Sequence, residues 1–156
     1  MDKNLEERIN AIGEDIHKMD EIRRKIRKPM CEAIHDMCVE NGGEIDLRVY
    51  NEVYCGMSIS YDGGNHPEYD SEAFAEIIKV KPIMLKDWVN DGKEYKSFEV
   101  TLRGYADDYD EYDEGRMSCD EVESVYRQVL GYFYADKEEL EEYAKEYLYD
   151  EEESED

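Results

Sequence analysis

Basic residues are scarce in this 156-residue sequence: 19 Lys and Arg stand against 43 Asp and Glu, a formal net charge of −24 with neutral histidines. Nucleic acids and anionic membranes are held by Lys and Arg that displace counterions. The deficit therefore argues against direct binding to DNA, RNA or a charged bilayer, and makes a basic protein surface the expected partner. Long apolar runs are missing too. No stretch approaches the roughly 20 apolar residues needed to cross a bilayer. The opening Met1-Asp2-Lys3-Asn4 reads as the start of a polar helix, not as a signal peptide, so a cytoplasmic location is expected. Cysteine is sparse: Cys31, Cys38, Cys55 and Cys119 contain no CxxC pair and are too scattered for a disulfide framework, so they read as reduced and structural. Neither a GxxxxGK[ST] phosphate loop nor a GxGxxG fingerprint occurs.

What is present suffices for one modest core. Hydrophobic residues make up 40% of the chain, enough for a single domain over residues 1–149, with an acidic tail over 150–156 expected to be disordered. From Leu5 the apolar positions recur at Ile9, Ile12, Ile16, Met19, Ile22, Ile26 and Met30, steps of three and four that predict a long amphipathic, coiled-coil-like helix. Pro29 predicts a kink, or a break with a second helix running to about Glu40. Alternation at Ile45, Leu47 and Val49, and again at Val53, Cys55, Met57 and Ile59, predicts a hairpin turning at Asn51-Glu52. Residues 71–80 read as a strand. Asp91-Gly92, between the run at Leu85-Trp88-Val89 and the alternating Phe98, Val100 and Leu102, is the strongest hairpin signal in the chain. Ser118 with Glu121 forms a capping box ahead of a helix, and Asp136 with Glu139 predicts a second. The expected architecture is α+β: an antiparallel sheet of four to five strands flanked by the N-terminal helix and one or two C-terminal helices.

Candidate chemistry is thin. His17 and His35 fall in helices and His66 in a Gly-rich loop, none beside an evident nucleophile, so the chain reads as non-enzymatic with no cofactor. Cys31, His35 and Cys38 share one side of a helix, and Cys55 is a fourth soft ligand for zinc; cysteines at helical spacing more commonly serve as small buried hydrophobes, so no metal is expected. Asp110 to Glu121 has the length of a calcium loop, but Tyr112 stands where the third position needs an oxygen ligand.

Charge distribution is the feature that points to function. Residues 106–156 hold 21 acidic and 4 basic side chains, and nine of the 14 tyrosines lie from Tyr105 onward. Residues 136–156 alone hold 12 acidic and 2 basic side chains. As a helix they would span about 31 Å, close to one net charge per ~3 Å, against ~3.4 Å of axis per phosphate on one nucleic-acid strand. The candidate partner-binding residues are Asp107, Asp108, Asp110, Glu111, Asp113 and Glu114 in an acidic loop, and Glu138, Glu139, Glu141, Glu142, Tyr143, Glu146, Tyr147, Asp150, Glu151, Glu152 and Glu153 in the C-terminal helix and tail. In composition this last third resembles the phage-encoded DNA-mimic proteins that block restriction or CRISPR enzymes. The same composition also fits an acidic immunity protein or a secretion chaperone. The resemblance implies an inhibitor that occupies the cationic groove of a DNA- or RNA-binding enzyme. The competing expectation is a homo-oligomeric structural or chaperone-like module, a homodimer closed through the N-terminal Ile stripe, with the basic cluster Arg23, Arg24, Lys25, Arg27 and Lys28 pairing either with the protein's own acidic helices or with a second subunit.

Overall fold

The computed structural model describes residues 1–54, 59–61, 73–89, 91–103 and 108–149. The chain is α+β. A 38-residue helix, α1 (Lys3–Glu40), is followed by β1 (Ile45–Asp46), α2 (Arg48–Tyr54), β2 (Ile59–Tyr61), β3 (Ala73–Asp87), β4 (Lys93–Arg103) and β5 (Asp108–Asp113). A 3₁₀ turn (Glu114–Arg116) then leads into α3 (Cys119–Tyr134), α4 (Lys137–Tyr143) and a closing π-helical turn (Ala144–Tyr149). Three strands of real length, β3, β4 and β5, form the antiparallel sheet, and the short segments β1 and β2 pair along the outer edge of β3. Of the four to five strands expected, three form the sheet proper, and the other two segments are these short edge pairings.

Each difference from the sequence expectation has a cause in named residues. α1 runs unbroken through Pro29. Ile26, Met30, Ile34 and Cys38 step by four across the proline, so one face stays continuous, and Pro29 is exposed, where water can serve the carbonyl its missing N–H leaves free. Of the expected hairpin over residues 45–60, Ile45–Asp46 and Arg48–Tyr54 instead form a two-residue strand and a helix, Ile59 and Ser60 belong to β2, and residues 55–58 lie outside the described residues. Leu47, Tyr50, Asn51 and Tyr54 fit a 3.6 period as well as the alternating apolar residues fit a period of two. Asp46 Oδ1 accepts the Arg48 N–H at 3.0 Å and ties down the first turn, while Asn51 Nδ2 donates to the Ile77 carbonyl at 2.7 Å and fastens α2 to β3. The acidic loop expected after Ala106 is the edge strand β5 from Asp108 onward, paired with β4. That strand also places Asp110–Asp113 in extended backbone, and Glu121 is used as a cap, so no calcium-loop geometry exists there.

Other expectations are met. The β3–β4 hairpin turns at Asp91 and Gly92, both at positive φ (60° and 67°), with Asp87 and Lys93 as its last pair. Pro82 sits in β3 beyond the short β1 and β2 pairings, where only β4 lies alongside, the place at which a strand tolerates a residue without an N–H. Ser118 and Glu121 exchange both capping bonds, at 3.2 and 3.1 Å. Asp136 caps α4 by accepting from Glu138 N and Glu139 N, without the reciprocal bond of a full box.

The core lies between one face of the sheet and the helices. Ile77, Val80, Phe98, Val100 and Leu102 from β3 and β4 meet Met30, Ile34 and Cys38 from α1 and Val122, Val125 and Val129 from α3, all of them buried. A bulge between Ile77 and Lys79 keeps Ile77 and Val80 on the same inward face, opposite Leu102 and Val100.

Candidate interaction surfaces

Three of the chemically suggestive residues are committed to the fold. His35 is buried and its Nδ1 lies 2.9 Å from the Ser97 carbonyl, so that nitrogen carries the proton and donates it. Cys31 Sγ donates to Glu114 Oε2 and Cys38 Sγ to the Val80 carbonyl, both at 3.8 Å. Burial pushes both thiols up to about 12, with the Glu114 charge adding to the effect at Cys31. The three side chains therefore have separate partners, and among the described residues no group of three metal-ligating side chains converges. His17 pairs with Glu21 on the exposed face of α1 at 3.1 Å. Cys55 and His66 lie outside the described residues.

The candidate acidic residues do not form one surface. β5 is one edge of the sheet. α4 packs beside α2, and a hollow shared by Asp46, Tyr132, Leu140 and Ala144 places it at the β1 side, the opposite edge. Asp108, Asp110, Glu111 and Asp113 belong to β5, with the Cα of Asp108 opposite Arg103 and that of Asp113 opposite Glu99. Glu114 turns inward: it is buried, and Arg27 donates to its carboxylate at 3.0 Å and to its carbonyl at 2.5 Å. It is therefore a counter-charge inside the molecule, not part of an exposed patch. Asp107, Asp150, Glu151, Glu152 and Glu153 lie outside the described residues.

The acidic helix is well anchored. Leu140 and Ala144 are buried beneath it, the Tyr54 hydroxyl donates to Glu139 Oε2 at 2.9 Å, and Lys137 donates to the Tyr132 carbonyl and lies over the Tyr132 ring. On the side away from Leu140, Glu138 and Glu142 stand four residues apart, followed four residues later by Glu146 in the closing turn, all exposed. Tyr143 and Tyr147 stack beside them with ring centroids 4.8 Å apart. Like charges at i, i+4 cost a helix about 0.2–0.5 kcal/mol per pair, and here no ion pair to Glu138, Glu142 or Glu146 exists among the described residues to offset that.

The basic cluster of α1 divides. Arg23 reaches Asp120 and Glu123 at 3.4 Å each, and Arg27 holds Glu114, so two of the five charges fasten α1 to α3 and to the 3₁₀ turn. Arg24, Lys25 and Lys28 are exposed. Arg24 and Lys28 border a groove of about 540 Å³ shared with Trp88 and Val89, which stand bare at the β3–β4 hairpin tip. The sequence counted those two residues as strand.

Among the described residues, the longest run of exposed apolar side chains is the stripe on α1. Leu5, Ile9, Ile12, Ile16, Met19, Ile22 and Ile26 are 39–58% exposed, whereas Met30, Ile34 and Cys38 on the same helix are covered by the body. Full burial of such a side chain yields about 1.5–3 kcal/mol, so covering the half-exposed stripe would return on the order of 5–10 kcal/mol per copy. Among the described residues no helix is long and apolar enough to cross a membrane. Comparison with protein-family models, with curated proteins and with solved structures finds no match for this chain.

Proposed function

We propose that this protein is a non-enzymatic acidic binding protein whose C-terminal helical surface occupies a cationic, nucleic-acid-binding groove of another protein. The observation that carries the reading is the exposed row Glu138–Glu142–Glu146 on a helix whose opposite side is pinned to the body by Leu140 and Ala144. A row of like charges costs helix stability and has no ion-pair partner among the described residues, yet the helix that carries it is anchored by the burial of Leu140 and Ala144. Such preorganisation is what a phosphate imitator needs, because ordering its charges at the moment of binding would reduce affinity. From Glu138 to Glu142 the helix α4 rises about 6 Å, and the closing π-helical turn carries Glu146 beyond it, a row of charges on the length scale of successive phosphates along one strand, ~3.4 Å apart. Tyr143 and Tyr147 flank the row with amphipathic area of the kind that interfaces use. The net charge of −24 lies well beyond the magnitude of about 2–8 that solubility calls for.

The test is capture from a bacterial lysate on the immobilised protein at low salt, eluted with rising salt and, separately, with duplex DNA or RNA. One nucleic-acid-binding enzyme, displaced by nucleic acid and lost when Glu138, Glu142 and Glu146 are changed together to Gln, supports the reading. Many basic proteins released together at modest salt, or a captured enzyme indifferent to the Gln variant, would overturn it.

A further inference from the structure

We propose that the bare segment of α1 is a self-association arm, and that two copies of this chain pair antiparallel through Leu5–Ile26 about a two-fold axis between Asp15 and Ile16. The inference stands apart from the acidic-surface reading, since it uses different residues on a different element.

The first argument is spacing. An isologous antiparallel interface sets each residue against one equally far from the axis on the other copy, so its apolar pattern must read alike in both directions. Leu5 and Ile26, Ile9 and Ile22, and Ile12 and Met19 are each equidistant from the midpoint between Asp15 and Ile16. A two-fold axis there seats Leu5 on Ile26 of the second copy, Ile9 on Ile22 and Ile12 on Met19, while Ile16 stands level with Asp15 of the second copy, so that the two Ile16 residues lie on either side of the axis. A heptad seam for parallel pairing would continue from Met19 to position 23, which is Arg23, and Arg23 is held by Asp120 and Glu123 of its own body. The step to Ile22 breaks that seam and restores the two-fold symmetry of the stripe.

Charge gives the second argument. Residues 1–22 carry seven acidic and three basic side chains, whereas residues 23–28 carry five basic and no acidic ones. In the antiparallel register Glu6 and Glu7 face Lys25 and Arg24 of the second copy, which have no ion-pair partner within their own chain among the described residues. Parallel pairing would instead set two Arg24-Lys25-Lys28 clusters side by side. The bare segment, residues 3–29, extends about 40 Å. Its stripe continues the face that buries Met30, Ile34 and Cys38, so the apolar surface passes from the core of one copy onto the arm without interruption.

Sedimentation equilibrium of the full chain across micromolar concentrations tests this. The wild type should show twice the 18.5 kDa chain mass. Ile12→Asp puts a carboxylate from each copy into the seam and should weaken the dimer at least ~100-fold; since Ile12 is 58% exposed in the single chain, the circular dichroism of the body should stay unchanged. Arg24→Glu with Lys25→Glu should weaken it roughly tenfold, and adding Glu6→Lys with Glu7→Lys to the same chain should restore it. A wild type that stays monomeric, or a dimer indifferent to Ile12→Asp, would overturn the arm. A dimer unchanged by the Arg24/Lys25 reversal, or not restored by the fourfold variant, would overturn the antiparallel register.

Discussion

α1 consists of a longer and a shorter segment with the same apolar periodicity and opposite fates. From Met30 to Glu40 the stripe lies on the sheet and α3, with Ile34 and Cys38 fully buried. From Lys3 to Pro29 it carries seven half-exposed aliphatic side chains and touches the body chiefly through Arg23 and Arg27. Amphipathic spacing specifies that a face is to be covered, and says nothing of whether the cover comes from the same chain. The two arginines mark the frontier, since each ties α1 to the α3 side where the body begins.

Substitution at matched positions gives the sharpest contrast. Ile34→Ala should cost about 2–5 kcal/mol in chemical denaturation, because the cavity it leaves is closed on all sides. Ile12→Ala should change the unfolding of the dilute, single chain by less than about 0.5 kcal/mol, as expected for a surface site. Equal losses at both sites would mean that the arm folds back on the body.

Glycine offers a second contrast. A Cβ at Gly131 would stand 2.8 Å from Tyr50 Cζ, so the outer end of the Tyr50 side chain would have to shift to admit one. Gly131→Ala should therefore destabilise by about 1–3 kcal/mol despite alanine's better helix propensity, and thermal unfolding would show it.

Alkaline titration reads the buried segment alone. The thiols of Cys31 and Cys38, pushed up to about 12 by burial, keep their protons in the fold, while the unfolded chain releases them near the ordinary thiol value of 9. As pH rises from 9 toward 12 the unfolded state binds fewer protons than the native state, so stability falls, by about 1 kcal/mol per pH unit for a thiol over that window. Cys38→Ala should flatten this slope in denaturation curves at successive pH values. A slope unaffected by that substitution would place its source elsewhere.

The smallest effect has the opposite sign. At Gly13 in the arm an added Cβ meets nothing within 4 Å, so Gly13→Ala should raise helix content and stabilise the arm by about 0.5–1 kcal/mol in thermal scans by circular dichroism. A loss there would reveal a close neighbour that the single chain does not supply.

Where a rule depends on neighbours within a few residues, the sequence was legible. The Ser118–Glu121 box, the Asp136 cap and the Asp91-Gly92 turn all formed as their local chemistry dictates. Residues 48–54 fit both periods, and the choice between them is made at a distance, by Asn51 donating to the Ile77 carbonyl in β3. The candidate site was legible in part for the same reason: the charge of Glu138, Glu142 and Glu146 is plain in composition, but Glu114 looked equivalent until Arg27, 87 residues away, drew it inside.

The sequence by itself determined the periodicities, the caps, the excess of negative charge and the absence of any assembled phosphate or redox motif, since each rests on residue types at short spacing. Only the tertiary structure decided which charges are spent internally, that the acidic strand and the acidic helix lie at opposite edges of the sheet, and that the stripe on α1 stays exposed from Leu5 to Ile26. Those outcomes depend on which distant segments share a surface, and burial and ion pairing act through space, without regard to separation along the chain.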